Sequence, residues 1–215
     1  MSLSLRCLLA LALLTGIFAA PAIATPALAA ATAGQVDSIT GTVTRSHKDG
    51  QAAALKAGDS VDTGDEIVTG AKSGAKVTLA DGTEITLGSG NRFFVDRFAE
   101  DGAPQGNTAL RILGGAFSYV GGSVEKAPQS SVTIGLDFGS IGVRGTTLYR
   151  AMKDGQCWIY LQQGKIDVFN KGGRVTLQPG DGTRMKAKTI GPAAPHVWTP
   201  QEINWIKSAV DASQQ

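Results

Sequence analysis

The chain has 215 residues, 42% hydrophobic and 18% charged, and its 20 Lys and Arg nearly cancel 18 Asp and Glu to leave a formal charge of +2. That balance argues against a nucleic-acid binder, which needs clustered excess positive charge, and against a disordered chain. The length suits one domain able to bury a core without disulfide staples.

Residues 1–30 carry one charge, Arg6, then an apolar run over 7–18, then Ala, Pro and Thr with small residues at A-x-A spacing. This is the pattern of a secretory signal peptide over 1–29, with cleavage after Ala24 or Ala29. The apolar run is short for a membrane span, and no later segment supplies one. The mature chain is therefore expected in the periplasm or secreted, with no transmembrane segment. Loss of the leader removes Cys7 and leaves Cys157 without an intramolecular disulfide partner. Its neighbours Trp158, Ile159 and Leu161 read as strand, so Cys157 is expected to be buried.

The chain has 28 glycines, about 13% against a usual share of about 7%. Between Gly34 and Gly191 the longest glycine-free stretch is 123–134, and Pro128 interrupts it. A helix of average length, about 11 residues, would almost everywhere include a helix-breaking residue. Residues 35–190 are therefore predicted to form an all-β domain, a sandwich or roll of short antiparallel strands. In Ala75-Lys76-Val77-Thr78-Leu79-Ala80-Asp81-Gly82-Thr83-Glu84-Ile85-Thr86-Leu87 the apolar residues fall at odd positions on both sides of the turn. A three-residue loop, Ala80-Asp81-Gly82, with Gly82 left-handed, keeps them on one face and pairs Val77 with Ile85. The same parity at 149–161 predicts a loop of Lys153-Asp154-Gly155 with Ala151 opposite Cys157, and apolar Met152, Trp158 and Tyr160 on the second face imply cover on both sides. An internal echo links Gly41-Thr42-Val43 and Leu55-Lys56-Ala57-Gly58-Asp59 to Gly164-Lys165-Ile166 and Leu177-Gln178-Pro179-Gly180-Asp181, with a third related element at Leu113-Gly114-Gly115-Ala116-Phe117. Residues 191–215 read as a Pro-containing linker and an amphipathic helix. Thr199 is its N-cap, Pro200 its first residue and Glu202 the capping-box acid, while Trp198 and Ile203 form a staple and Ile203, Ile206 and Val210 mark one face.

Candidate chemistry is sparse. Asp59, Asp62, Asp65 and Glu66 cluster beside Gly58 and Gly64, but without the EF-hand ligand spacing, and turn chemistry accounts for them. His47 and His196 sit in no metal-ligand pattern with each other or with Cys157. Ser123-Val124-Glu125-Lys126 matches S-x-x-K without its accompanying motifs. No metal, cofactor or catalytic residue is expected. Arg144, flanked by apolar strand residues, either pairs with an acid inside, with Asp59, Asp65, Glu66 and Asp137 available, or reaches a partner or ligand. In the second case Gly145 would serve close backbone approach.

Several stretches together resemble the FecR family. They are Leu55-x-x-Gly58-Asp59-x-Val61 with Thr63-Gly64-Asp65-x-Ile67-x-Thr69, the 75–87 hairpin, Ile141-Gly142-Val143-Arg144-Gly145-Thr146, and Leu161-x-x-Gly164-Lys165-Ile166-x-Val168. The resemblance runs from about Gln35 to Lys186 and implies an all-β periplasmic domain that contacts proteins and does no catalysis. Well-known members join this domain to a membrane helix and a cytoplasmic part that controls a sigma factor, a layout from which this chain is expected to depart. The function it implies is an exported protein-binding or sensing module in envelope signalling or regulation. Its partner would be an envelope or membrane sensor protein, met at Arg144, Gly145 and Thr146, with no nucleic acid involved. The rival is a structural or carbohydrate-associated module of the cell surface, which an exposed aromatic row drawn from Phe93, Phe94, Phe98, Trp158 or Tyr160 would favour.

Overall fold

The computed structural model describes residues 32–47, 50–99 and 106–211, so the expected leader lies outside the described residues. The strands are β1 (Thr32–Thr40), β2 (Val43–His47), β3 (Ala53–Ala54), β4 (Ser60–Asp62), β5 (Asp65–Thr69), β6 (Gly74–Leu79), β7 (Glu84–Leu87) and β8 (Asn91–Arg97). They continue with β9 (Asn107–Gly114), β10 (Phe117–Val120), β11 (Ser131–Gly135), β12 (Ser140–Lys153), β13 (Gln156–Asn170), β14 (Gly173–Leu177), β15 (Asp181–Met185) and β16 (His196–Val197). A 3-10 turn spans Val124–Lys126, and the helix α1 spans Pro200–Asp211. All the strands join one sheet curled into a half-barrel, in the order β3-β2-β5-β8-β9-β11-β12-β10-β7-β6-β1-β4. Strand β13 lies along the other edge of β12 and carries β14 and β15, and β16 extends β15. The all-β class with one carboxy-terminal helix is thus as expected.

Two features of that sheet differ from short antiparallel strands. Strands β9 and β11 pair in parallel, because the chain leaves β9 for β10 in the other half of the sheet before returning. Strands β12 and β13 are 14 and 15 residues long. The glycines that suggested strand ends instead sit inside them: Gly145 and Gly164, at φ +62° and +89°, lie where the β12–β13 register shifts. A bulge accommodates left-handed glycines without ending the ladder.

The hairpin of β6 and β7 has the expected register, Val77 opposite Ile85 and Ala75 opposite Leu87. Gly82 is at φ +80°, and the Leu79 N–H donates to the Thr83 carbonyl at 2.8 Å. Val77, Leu79, Ile85 and Leu87 are buried, while Lys76 and Glu84 pair at 2.9 Å on the other face.

The β12–β13 hairpin corrects its expected register by one residue. Met152, not Ala151, faces Cys157, and Arg150 faces Ile159. Asp154 and Gly155 are both left-handed, at φ 52° and 68°, which is the two-residue type I′ turn. The parity argument assumed that the core face was apolar throughout. Instead Arg150 points inward with Leu148, Cys157, Ile159 and Leu161, all buried.

The second face of this hairpin is covered, as its apolar residues imply. Ile206 and Val210 of α1 bury against Ala116, Ala151 and Tyr160. Trp198 stacks on Tyr160 at 5.4 Å between ring centroids and lies directly over Gly182, where any β-carbon would collide with its indole. The helix start is the expected capping box: the Glu202 carboxylate accepts from the Thr199 N–H at 2.8 Å, and Thr199 Oγ1 accepts from the Glu202 N–H at 3.4 Å. The bond from the Thr199 N–H, with one from the Thr199 hydroxyl at 2.9 Å, lowers the pKa of the Glu202 carboxyl.

The internal echo is a repeated turn. In Lys56-Ala57-Gly58-Asp59 and Gln178-Pro179-Gly180-Asp181 the aspartate carboxylate accepts the first residue's N–H, at 2.8 and 2.9 Å. The two glycines have φ of 90° and 92°. Asp62-Thr63-Gly64-Asp65 repeats it, with the same bond at 2.8 Å and Gly64 at φ 98°. The element at Leu113-Gly114-Gly115 does not share this chemistry; there the Gly114 N–H turns to the Asp137 carboxylate at 3.3 Å.

Candidate functional site

One edge of β12 changes partner midway. Residues 140–143 pair with β11 and residues 147–150 with β10, leaving Arg144, Gly145 and Thr146 without a strand partner on that edge. Buried backbone groups in such a gap must be satisfied by other means. The connection between β10 and β11 supplies them. The Gly121 N–H donates to the Thr146 carbonyl at 2.8 Å, and Glu125, on the 3-10 turn, accepts from both the Thr146 N–H and its hydroxyl at 2.9 Å. Gly121 must be small, since a β-carbon there would overlap the Glu125 carboxyl.

Glu125 is buried and also accepts from the Tyr119 hydroxyl. Burial raises its pKa, against the opposing pull of the hydrogen bonds from Tyr119 and Thr146. Burial, and then the Glu125 charge, hold the Tyr119 hydroxyl well above its ordinary value. A second buried group backs this one: the Thr83 hydroxyl donates to Asp81 at 2.9 Å and accepts from the Gly122 N–H at 3.0 Å. Glu125 and Asp81 thus brace the backbone behind the bulge.

Of the three residues foreseen as a site, Arg144 and Gly145 are exposed and Thr146 is buried beneath them. Among the described residues Arg144 forms no internal ion pair, and the four acids named for it are engaged elsewhere. Asp59 caps its own turn. Asp65 holds another turn and meets His47 Nδ1 at 3.0 Å. Glu66 takes Arg92 at 2.7 Å. Asp137 takes Arg150, whose side chain is fully buried. Gly145 is needed for its left-handed backbone; the close approach belongs to Gly164, whose β-carbon would fall 2.3 Å from the Gly145 carbonyl oxygen. Beside Arg144 runs a groove of about 310 Å³, lined by Ser130, Ser131, Thr133, Gly142, Lys165 and Asp167 among others.

The buried arginine that sequence reasoning sought is Arg150. Its guanidinium donates to the Gly115 carbonyl at 2.6 Å and to the Asp137 carboxylate, and contacts Cys157 Sγ at 3.2 Å and Met152 Sδ at 3.1 Å. Cys157 is buried as expected, and that burial pushes its thiol pKa up. The signal that could have found Arg150 is its place between Tyr149 and Ala151, two residues that helix α1 claims for the opposite face.

The remaining candidates fall to structural roles. His196 lies 3.6 Å from Glu202, and Ser123 begins the 3-10 turn. Among the described residues no group of three or more His, Cys, Asp or Glu gathers as a metal site, and no helix is long and apolar enough to cross a membrane. The aromatics do not form an exposed row: Phe93 and Tyr160 are buried, and Phe98 packs against the core. Phe94 lies under Arg111 at 4.1 Å, and Trp158 meets Trp198 and Trp205 edge-on at 6.0 Å.

Fold and site together define a curled all-β scaffold whose buried polar groups hold backbone in place. Residues 65–167, from the start of β5 into β13, match the family described as FecR protein. That match covers 103 of the 215 residues, just under half of the chain, and makes this stretch FecR-like in sequence. Two crystal structures of a candidate anti-sigma factor from Parabacteroides distasonis ATCC 8503, at 1.65 and 2.50 Å resolution, share the fold with TM-scores of 0.52 and 0.53 at 15% identity. The likeness covers 65% of this chain and 62% of theirs, so this chain spans less than two thirds of the length of those proteins. No curated protein matches the chain.

Proposed function

We propose that the protein is an exported, periplasmic FecR-like module that docks an envelope or membrane sensor protein and contributes to signalling or regulation without catalysis. Residues 1–29 act as the leader, 35–190 as the docking domain, and 191–215 as the linker and helix that brace one face of it. The observation that carries this reading is the FecR match over residues 65–167, which includes the bulge of β12. The anti-sigma description of the Parabacteroides protein fits the same setting. Within the domain we assign the contact to Arg144, projected from the bulge, with Gly145 setting the backbone and Thr146 fixing it to Glu125 from behind.

In-cell photo-crosslinking tests the reading, with a crosslinking residue placed in turn at Thr133, Lys56, Lys165 and Lys207 of the full chain. The expected result is a discrete adduct with one envelope protein from at least one position. No adduct above background from any of the four, together with saturable binding of a cell-surface polysaccharide, refutes the docking reading.

A further inference from the structure

We propose that Arg144 and Lys165 form a two-cation site for an acidic, extended segment of the partner protein, seated in the groove beside them. This rests on the docking reading and names the chemistry of the partner. Arg144 stands directly opposite Lys165 in the β12–β13 register, and both are exposed. Like charges directly opposite on one face of a sheet repel and destabilise it. Several exposed cations of the sheet pair with an acid instead, Arg92 with Glu66 at 2.7 Å, Lys76 with Glu84 at 2.9 Å and Arg111 with Asp96 through two hydrogen bonds, while Lys153 and Arg184 lie over Trp205 and Trp158. Neither Arg144 nor Lys165 is in an ion pair among the described residues. The nearest acid of the groove, Asp167, is held by the Thr176 hydroxyl at 2.5 Å and faces Arg174 at 3.6 Å.

The two cations are also preorganised. Each is followed or preceded by a left-handed glycine of the bulge, Gly145 or Gly164, and the Gly164 α-carbon packs onto the Gly145 carbonyl too closely for any larger residue. Thr146 is tied to buried Glu125. A site on braced backbone loses little conformational freedom when a ligand arrives. The groove offers more than charge. Gly142 lines it without a side chain, Thr133 and Ser131, whose hydroxyl donates to Asn107 at 2.7 Å, line it too, and the buried Ser130 Oγ has no hydrogen-bond partner among the described residues. It crosses β11, β12 and β13 from Ser131 to Lys165, a shape that takes an extended chain whose carboxylates reach the two cations and whose backbone meets the hydroxyls.

The test uses the purified full chain and fluorescence anisotropy with labelled hexaglutamate and hexaglutamine at low and moderate salt. Hexaglutamate should bind, with an affinity that falls with salt, and hexaglutamine should not. Arg144→Ser with Lys165→Ser should weaken hexaglutamate by at least about tenfold. Lys165→Glu should abolish binding while leaving the melting temperature unchanged or higher, because it replaces a repulsion by a cross-strand ion pair. The proposal is overturned if hexaglutamine binds equally, if the double serine variant binds hexaglutamate as well as the parent, or if pyrophosphate displaces the label as effectively as unlabelled hexaglutamate. Because these measurements need no partner, their failure leaves the docking reading to the cellular crosslinks. Crosslinks that persist unchanged in the double serine variant overturn the two-cation site alone.

Discussion

Removing Asp137 should harm the protein more than removing Arg150, although the two form one ion pair. Arg150 is the largest fully buried side chain among the described residues, whereas Asp137 keeps 29% of its surface exposed. In Asp137→Ala the guanidinium stays inside with the Gly115 carbonyl and two sulfur atoms as neutral neighbours. Stranding a buried charge costs about 3–5 kcal/mol, and the partial exposure of Asp137 places this case at about 3 kcal/mol. In Arg150→Met the charge is gone, the volume is largely kept and Asp137 can hydrate; the main loss is the donor to the Gly115 carbonyl, about 1–2 kcal/mol. Urea unfolding followed by tryptophan fluorescence should rank the variants in that order, with unchanged m-values. For a chain of this size the aspartate variant should melt about 6–12 °C lower. In the Arg150→Met background, Asp137→Ala should add only the loss of the long bond from the Gly114 N–H, about 0.5–1 kcal/mol. Equal single losses, or a double variant that simply adds them, would refute the argument that a stranded guanidinium dominates.

Three further outcomes follow from the same structure. Glu125 has a raised folded pKa, so the folded state holds its proton more tightly; that contribution is complete below the unfolded value, near about 4.3, and is lost as pH rises through the folded one. Glu125→Gln should flatten the unfolding free energy over that window yet cost about 1–3 kcal/mol at neutral pH, because its amide cannot accept both from Thr146 and from the Tyr119 hydroxyl, and a pH series of urea midpoints reads both. Gly164→Ala should be far worse than Gly145→Ala. The second pays only the left-handed penalty, about 1–2 kcal/mol, while the first also drives a methyl into the Gly145 carbonyl, so its yield of folded protein on gel filtration should collapse. Thr199→Ala should cost about 1 kcal/mol through the lost cap and red-shift the tryptophan emission as α1 loosens from Trp198. Glu202, whose folded pKa is lowered, stabilises the helix above its unfolded value, and that support is lost as pH falls through the folded one.

Local chemistry was legible in the sequence where one residue type decides the geometry. Gly82 after Asp81 fixed a three-residue loop, Thr199-Pro200 with Glu202 fixed a helix start, and the echo between residues 55–59 and 177–181 reported a real turn. The β12–β13 turn differs from its expected form because Arg150 occupies the core face, where the alternation of apolar residues leaves no place for a charge. The polarity pattern of one strand cannot reveal an inward arginine whose acid lies on another loop. The length of β12 and β13 was hidden for a related reason. A left-handed glycine ends a strand or bulges it depending on what lies across the sheet, and the close approach of Gly164 to Gly145 is a long-range fact. Arg144 stands out in the sequence between apolar residues, whereas Lys165 does not show as its cross-strand neighbour, because such neighbours are visible only once the register is known.

The fate of the acids explains why Arg144 is left without a partner. Asp59, Asp65 and Asp181 each follow a glycine in a four-residue turn, and each binds the N–H three residues back. Such a bond is closed by the chain locally, before any strand is paired, so these carboxylates are committed whatever the topology brings near them. Asp137 precedes its glycine, Gly139, and belongs to no turn of this kind, and it is the acid that finds a distant cation, Arg150. Glu125 closes the gap in β12 by binding backbone and hydroxyl donors. The order of Asp and Gly thus ties three carboxylates to their own turns, although Asp65 still reaches His47, and on the two-cation reading the partner of Arg144 and Lys165 comes from another molecule.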